Sequence, residues 1–377
     1  ERIESRDVAI RADTPCPSGY TSHNGLNFTT YCEQNNPWND AMAPFLVPSM
    51  EECMERCSRY WGDGEGCYGV VWREDQNCWL RNSATGTANL TPLQGIHSAL
   101  VQSSQMKPLN KACPYADLST HDVNGSYSGI GYTVHCGTDI GDDADICWDD
   151  EPECLPSPFQ GYFHATSLDD CLNICVTQHP LCRAVAYNPT LEMGYANCWP
   201  KTSFPNTLGA PGGNRTMHTA TITTIEQIDT TCPSNDQYTA TGNKQFDIHC
   251  GQLNQGVNIT SLHTRNVTAC MDACAASNKN CVGVLFDSSL AGGLSNCYLQ
   301  NTTSVITDQT SATYAVLAGT TLPTSSPSTA PLPSSSDSGS SSKAWIAGPV
   351  IGGIAGIAII AAAFFLWRRK KAGTAAA

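Results

Sequence analysis

The residues with the clearest chemistry in this chain are its 20 cysteines, because their spacing recurs three times. Each copy has a C-x3-C pair, then a cysteine that opens an apolar run, then an asparagine followed by a cysteine and an aromatic residue: Cys53, Cys57, Cys67 and Cys78; Cys171, Cys175, Cys182 and Cys198; Cys270, Cys274, Cys281 and Cys297. Every copy holds an even number of cysteines, and the sequence has no Cys/His zinc spacing. The pattern therefore predicts disulfide chemistry in an oxidising compartment.

Acidic and imidazole side chains are the other candidates for a chemical role. Carboxylates are dense between residues 139 and 153, and the calcium candidate there is Asp139, Asp142, Asp143 and Asp145. The segment lacks the EF-hand register, so we favour a solvated acidic loop and predict neither a metal site nor a cofactor. Four histidines recur at equivalent positions of different copies, which favours a packing role over metal ligation: His97 with His218, and His135 with His249.

The sequence contains none of the common catalytic motifs. The nucleophile elbow G-x-S-x-G, the zinc-binding H-E-x-x-H and the phosphate-binding glycine motifs do not occur. The even cysteine count also argues against a thiol nucleophile. We therefore predict that the protein is not an enzyme. The net charge of −14 would repel a phosphate backbone, so nucleic acid is not an expected partner.

The C-x3-C stretch is predicted to be a helix that begins at a good N-cap residue. The caps lie four positions before the first cysteine, at Ser49, Ser167 and Asn266. Glu52 adds the second residue of a capping box. Cysteines at positions i and i+4 share one face of a helix, so both sulfurs can reach the same sheet.

Short strands are predicted around each helix. The cysteine after the helix opens a C-x-[GA]-V-x-aromatic run rich in β-branched residues. Each copy begins with Cys-Pro, at Cys16, Cys113 and Cys232, and passes a glycine-containing turn before a second cysteine, which is typical of a β-hairpin. Closing strands are expected around 96–101, 217–222 and 313–317. The predicted fold class is α+β, with three tandem modules that each pack an antiparallel sheet on one helix.

This pattern resembles the core of the PAN/apple domain family, over roughly residues 16–319. The resemblance implies that the first helix cysteine pairs with the last core cysteine and the second with the strand cysteine: Cys53–Cys78, Cys57–Cys67, Cys171–Cys198, Cys175–Cys182, Cys270–Cys297 and Cys274–Cys281. The chain departs from a standard apple module in the extra cysteines near the start of each copy. We pair these locally: Cys16–Cys32, Cys113–Cys136 and Cys232–Cys250, which leaves Cys147 with Cys154.

The end of the chain predicts a membrane anchor. Residues 320–343 are rich in Ser, Thr and Pro and are predicted to form a disordered stalk. Residues 344–367 carry no charge and, as a helix about 36 Å long, could span a bilayer. The basic residues that follow place the tail, 368–377, in the cytoplasm. Gly348, Gly352 and Gly356 form overlapping G-x-x-x-G steps, through which the span could form a homodimer.

The domain boundaries and modifications follow from these segments. We predict a flexible leader (1–15), module 1 (16–111), module 2 (112–222), module 3 (230–319), the stalk, the span and the tail. Seven N-glycosylation sequons agree with a secretory route: Asn27, Asn89, Asn124, Asn214, Asn258, Asn266 and Asn301. The expected location is the plasma membrane, as a single-pass type I protein with extracellular modules.

The resemblance implies a function in binding. We expect a cell-surface binding or adhesion glycoprotein that recognises an extracellular protein or glycan, with a layout similar to fungal apple-like surface proteins. A cell-wall or environmental sensor is the first alternative, which requires a cytoplasmic tail able to signal. A secreted-type hydrolase is the second, which requires paired carboxylates or a catalytic triad in a polar cleft. We also expect the three modules to unfold independently of one another.

Overall fold

The computed structural model describes residues 16–37, 39–60, 66–83, 87–141, 144–147, 161–213 and 215–323. They belong to one compact unit, Glu1–Ser325. The predicted leader, the predicted span and tail, and the stalk beyond residue 323 lie outside the described residues. Within the described part, no helix is both long enough and apolar enough to cross a bilayer.

Each module contributes one α-helix and several short strands. The elements of module 1 are β1 (Tyr20–Thr21), β2 (Asn27–Tyr31), β3 (Gln34–Asn35), β4 (Phe45–Leu46), α1 (Met50–Arg59), β5 (Gly69–Arg73), β6 (Asn77–Arg81), β7 (Thr91–Pro92) and β8 (Ile96–Val101). Those of module 2 are β9 (Thr120–Asp122), β10 (Ile130–Cys136), α2 (Leu168–Val176), β11 (Ala184–Tyr187), β12 (Cys198–Lys201) and β13 (His218–Ile225). Those of module 3 are β14 (Gln237–Ala240), β15 (Lys244–Asn254), β16 (Asn258–Leu262), α3 (Val267–Ala276), β17 (Gly283–Asp287), β18 (Cys297–Gln300) and β19 (Ile306–Leu317).

The three main sheets share one strand order over their first five strands, and those of modules 1 and 3 add a sixth strand. They run β1-β2-β8-β5-β6-β4, β9-β10-β13-β11-β12 and β14-β15-β19-β17-β18-β16, while β3 and β7 form a small separate sheet. The closing strand of each module lies between its hairpin strand and the strand after the helix, antiparallel to both. The described chain is therefore a disulfide-rich α+β protein, mostly sheet, with one α-helix on each of the three main sheets.

Each helix begins at its predicted N-cap. Ser49, Ser167 and Asn266 have extended backbones, and the side-chain oxygen of each accepts the amide three residues on, at 3.2, 3.0 and 2.9 Å. The bond satisfies an amide that has no partner within the helix. The Glu52 carboxylate accepts from Arg56 Nε at 3.0 Å rather than closing a capping box, because the i,i+4 position offers it a cation.

Disulfides fasten each helix to the sheet beneath it. Nine pairs join described cysteines, with Cα–Cα distances of 5.3 to 6.0 Å that suit an unstrained bridge: Cys16–Cys32, Cys53–Cys78, Cys57–Cys67, Cys113–Cys136, Cys171–Cys198, Cys175–Cys182, Cys232–Cys250, Cys270–Cys297 and Cys274–Cys281. These are the pairs that the resemblance and local pairing imply. Cys147 is also disulfide-bonded, but Cys154, its proposed partner, lies outside the described residues.

Two closing strands differ from their predicted bounds. The strand β13 continues to Ile225, beyond residue 222. The strand β19 begins at Ile306 rather than near 313, and its first residues pair with the end of β15 beyond an irregularity after Cys250. The added part of β19 is polar, so it lacks the apolar run on which the prediction relied.

Candidate binding surfaces at the joints between modules

The connecting segment, counted from the aromatic residue of the strand after the helix to the last core cysteine, differs in length among the modules. It has five residues in module 1 (73–77) but ten in modules 2 (188–197) and 3 (287–296). In modules 2 and 3 the longer segment contacts the preceding module. We call these two contacts joint 1–2 and joint 2–3.

At joint 1–2, the connecting segment of module 2 inserts Tyr195 into module 1. Only 5% of Tyr195 is exposed, and it belongs to the hydrophobic cluster of module 1 that contains Leu26 and Met106. A side chain at Gly66 would meet Met106 at 3.0 Å and the Gly194 backbone at 3.3 Å, so the two segments approach closely because glycine lies there. The tyrosine therefore completes the core of its neighbour.

At joint 2–3, Leu294 occupies the equivalent position in module 3. It is fully buried in the cluster of module 2 that contains Ile130. Gly293, at φ +106°, lies against the backbone carbonyl of Gln178, where a side chain would collide. The two joints therefore repeat one construction, with a large apolar side chain beside a glycine.

An asparagine and a histidine at equivalent positions hold the connecting segment in modules 2 and 3. Asn197 is fully buried and bonds both backbone groups of Ala165, at 2.8 and 2.9 Å. His164 Nδ1 donates to the Tyr195 carbonyl at 2.8 Å. In module 3, Asn296 bonds both backbone groups of Thr264, each at 2.8 Å. His263 Nδ1 donates to the Leu294 carbonyl at 2.7 Å. Because a carbonyl only accepts, Nδ1 carries the proton in both rings.

Polar contacts add to each joint. At joint 1–2, Asn24 Nδ2 donates to the Tyr162 carbonyl at 3.0 Å, and the Arg59 guanidinium lies 5.9 Å from the centre of the Tyr162 ring. At joint 2–3, the hydroxyls of Tyr127 and Ser295 are 2.7 Å apart. The His263 amide also donates to the Ser126 carbonyl at 3.0 Å, and Arg265 pairs with Glu226 at 3.5 Å.

Module 3 differs at the position where modules 1 and 2 receive the neighbouring side chain. Leu26 and Ile130 are fully buried there, whereas the equivalent residue of module 3 is Lys244, which is exposed. Its amine donates to the Ala275 carbonyl at the end of α3, at 2.8 Å. The face of module 3 that corresponds to a joint is therefore polar.

Among the described residues, two groups could offer a metal an imidazole ligand, and both contain His97. In one of them the other members are Cys16 and Cys32, whose sulfurs are joined in a disulfide. In the other, the tautomer of His97 opposes metal binding.

His97 Nδ1 accepts the Glu33 amide at 3.1 Å, so the neutral ring carries its proton on Nε2. That atom lies 3.5 Å from Glu74 and 4.0 Å from Glu33 carboxylate oxygens. His218 repeats the arrangement, accepting from the Gly137 amide at 3.3 Å and donating to a backbone carbonyl at 3.1 Å. Both histidines are in orientations that serve packing.

The other recurring histidines contact their own sheets. His135 Nε2 lies 3.0 Å from the Thr221 hydroxyl, and burial lowers its pKa, although Asp117 opposes the shift. His249 stacks over Tyr314 with ring centres 5.9 Å apart.

The acidic segment of module 2 is only partly described, so the structure shows two of the four aspartates that form the calcium candidate. Asp142 and Asp143 lie outside the described residues. The prediction of a solvated loop is wrong for Asp145, because its side chain is 11% exposed and pairs with the buried ammonium of Lys201. Asp139 accepts the amides of the next two residues, at 2.8 and 3.3 Å. Among the described residues, neither carboxylate belongs to a group close enough to share an ion.

One serine and one histidine in module 2 lie at the distance of a catalytic pair. Ser119 Oγ is 2.8 Å from His121 Nε2, but it also donates to the Ala116 carbonyl at 2.6 Å. The histidine must then donate to the serine, so it cannot act as the base that activates it. The neighbouring carboxylate, Asp169, accepts instead from Tyr115 and Tyr132, at 2.8 and 3.0 Å. The hydrogen bond to Asp169 and then burial raise the pKa of Tyr115, while burial and then the same carboxylate raise the pKa of Tyr132.

Joint 1–2 should weaken at alkaline pH. Burial raises the pKa of Tyr195 to about 12, whereas a tyrosine in an unfolded chain has a pKa of about 10. Between these values the unfolded chain loses a proton that the folded joint keeps, so stability falls as the pH rises. We expect the free energy of unfolding to fall more steeply from about pH 10 to 12 in the wild type than in Tyr195→Phe, by urea titration. Parallel slopes would contradict the burial of this hydroxyl.

Comparisons with known proteins provide little additional information. No family model matches the chain, and no curated protein matches it. Among solved structures, it is similar to the solution structure ensemble of the two N-terminal apple domains of Toxoplasma gondii microneme protein 4. The identity is 14%, over 50% of this chain and 86% of that chain, with a TM-score of 0.15. A match with so low a TM-score supports no inference about this chain.

Proposed function

We propose that this protein is a cell-surface binding or adhesion glycoprotein that recognises an extracellular protein or glycan. The observation that carries the proposal is the pair of equivalent joints, which fix three disulfide-bonded modules in one unit. Binding sites on linked modules gain affinity through effective concentration, and a fixed geometry reduces the entropy lost when several of them bind together.

The rest of the layout belongs to the same proposal. The three modules are PAN/apple-like, residues 320–343 form the stalk, and residues 344–367 anchor the protein in the plasma membrane with the modules outside. The disulfides support this assignment, because a chain with so many bridges suits an oxidising compartment. The fungal layout remains a resemblance of the stalk and anchor, and dimerisation through Gly348, Gly352 and Gly356 is part of the proposal.

A binding screen tests this proposed function. Residues 16–319, produced with their disulfides formed, would be applied to a glycan array and to an array of extracellular proteins. We expect retention on at least one array, at least tenfold weaker after reduction of the disulfides. A second assay would offer the same glycans and peptides at high protein concentration and follow their cleavage. Turnover of any of them, or no retention on either array, would overturn the proposal.

A further inference from the structure

A cavity lies in the cleft between modules 1 and 2. Its volume is about 330 Å³, and its walls include His23 and Asn24 of module 1 and Phe163, His164 and Ile174 of module 2. Ligand sites are concave, mainly apolar, and often lie between domains. We infer that this cleft binds one neutral pyranose ring of a glycan, an inference that rests on the proposed binding function and identifies the ligand class.

The walls of the cavity are held in place before any ligand binds. Asn24 Nδ2 donates to the carbonyls of Ser58, at 2.9 Å, and Tyr162, at 3.0 Å, so it links the two modules beside the cleft. Tyr195, which inserts into module 1, also stacks on the ring of His164 with ring centres 3.8 Å apart, so it holds this part of the wall in place. A preformed site loses little conformational entropy on binding.

Two imidazole rings supply hydrogen-bond acceptors on the cavity wall. His23 Nδ1 lies 2.9 Å from Glu55 Oε1, and His164 Nδ1 lies 2.8 Å from the Tyr195 carbonyl, so both rings carry a proton on Nδ1. In the neutral ring, Nε2 is then an acceptor, and it has no partner among the described residues. Burial lowers the pKa of His164, which favours the neutral form.

The remaining surface suits the apolar face of a sugar. Phe163 and Ile174 are half-buried and offer an aromatic and an aliphatic contact. A pyranose presents C–H groups on one face and hydroxyl donors around its edge, which match these contacts and the two Nε2 acceptors. The described lining holds no carboxylate, ammonium or guanidinium, which suits a neutral ligand.

Chemical footprinting of the full 377-residue chain tests the site without a mutation. Diethyl pyrocarbonate modifies unpaired imidazole nitrogen, and mass spectrometry reads each histidine separately. The probes are methyl glycosides of glucose, galactose, mannose and N-acetylglucosamine at millimolar concentration. We expect at least one to slow the labelling of His23 and His164 at least threefold and to leave His179, outside the cleft, unchanged. No selective protection by any of the four would overturn the inference.

A pair of matched variants separates this site from the rest of the surface. Phe163→Leu keeps an apolar side chain but removes the aromatic face, and Phe204→Leu makes the same change at an exposed position outside the cleft. We expect saturation-transfer NMR signals of the protecting glycoside to weaken at least tenfold in the first variant and to persist in the second. Equal signals in both would overturn the site. If the arrays still show glycan or protein binding in that case, the proposed function survives and only its location in this cleft fails.

Discussion

Replacing Leu294 with alanine is expected to lower the free energy of unfolding by about 3 kcal/mol and to divide the unfolding of the described unit into two transitions. The leucine is fully buried in the core of module 2 although it belongs to module 3, so its removal leaves a cavity where the modules meet. Differential scanning calorimetry would record both effects, since uncoupled modules melt separately.

The matched control is Leu118→Ala, because Leu118 is 65% exposed. That substitution should change the stability by less than about 0.5 kcal/mol and should leave the transition undivided. If Leu294→Ala behaves like its control, joint 2–3 does not couple the modules. The burial of Leu294 and Tyr195 in neighbouring cores is the reason we now expect coupling where the sequence suggested independent modules.

Replacing both Cys171 and Cys198 with serine should have a larger effect. This bridge closes 27 residues and fastens α2 to the sheet, so its loss should lower the stability of module 2 by about 3 to 4 kcal/mol. Both cysteines are buried, so two hydroxyls would also enter an apolar core. Cys198 directly follows Asn197, and we therefore expect joint 1–2 to loosen as well.

Denaturant unfolding under non-reducing conditions would measure this loss. Hydrogen exchange of the amides of module 1 near Leu26 would report on the joint. The control is a double serine variant of Cys113 and Cys136, whose half-buried bridge closes a similar 23 residues but ties the start of module 2 to β10 rather than fastening α2. Faster exchange at Leu26 only in the first variant is expected. The same exchange in both would mean that the helix does not support the joint.

The sequence predicted the parts of the fold that depend on local chemistry. Ser49, Ser167 and Asn266 marked the helix starts because an N-cap acts within one turn. The closing strand of module 1 was predicted at its observed bounds, 96–101, because all its pairing residues lie in one short run. The first part of β19 was missed, because its pairing with β15 extends beyond the apolar run.

The joints were not predicted, because they depend on contacts distant in sequence. Tyr195 and Leu294 lie in segments without regular periodicity, and nothing local indicates that they enter a neighbouring core. The sequence did contain a signal, since the connecting segment has five residues in module 1 and ten in the others. The recurring asparagine before the last core cysteine was visible too, but Asn197 and Asn296 gain their buried partners only in the folded modules.

Because module 3 carries Lys244 at the position that receives a neighbouring side chain in modules 1 and 2, the modules cannot be recombined in any order. A permuted gene that placed module 3 ahead of module 2 would present this lysine where Tyr195 must insert, and a buried, unpaired ammonium is strongly unfavourable. Module 1 placed last would bring a five-residue segment that is too short to supply the inserted side chain. The three copies are thus no longer interchangeable: each has become specialised for its place in the series, and duplications that respect the joints would have to copy module 2.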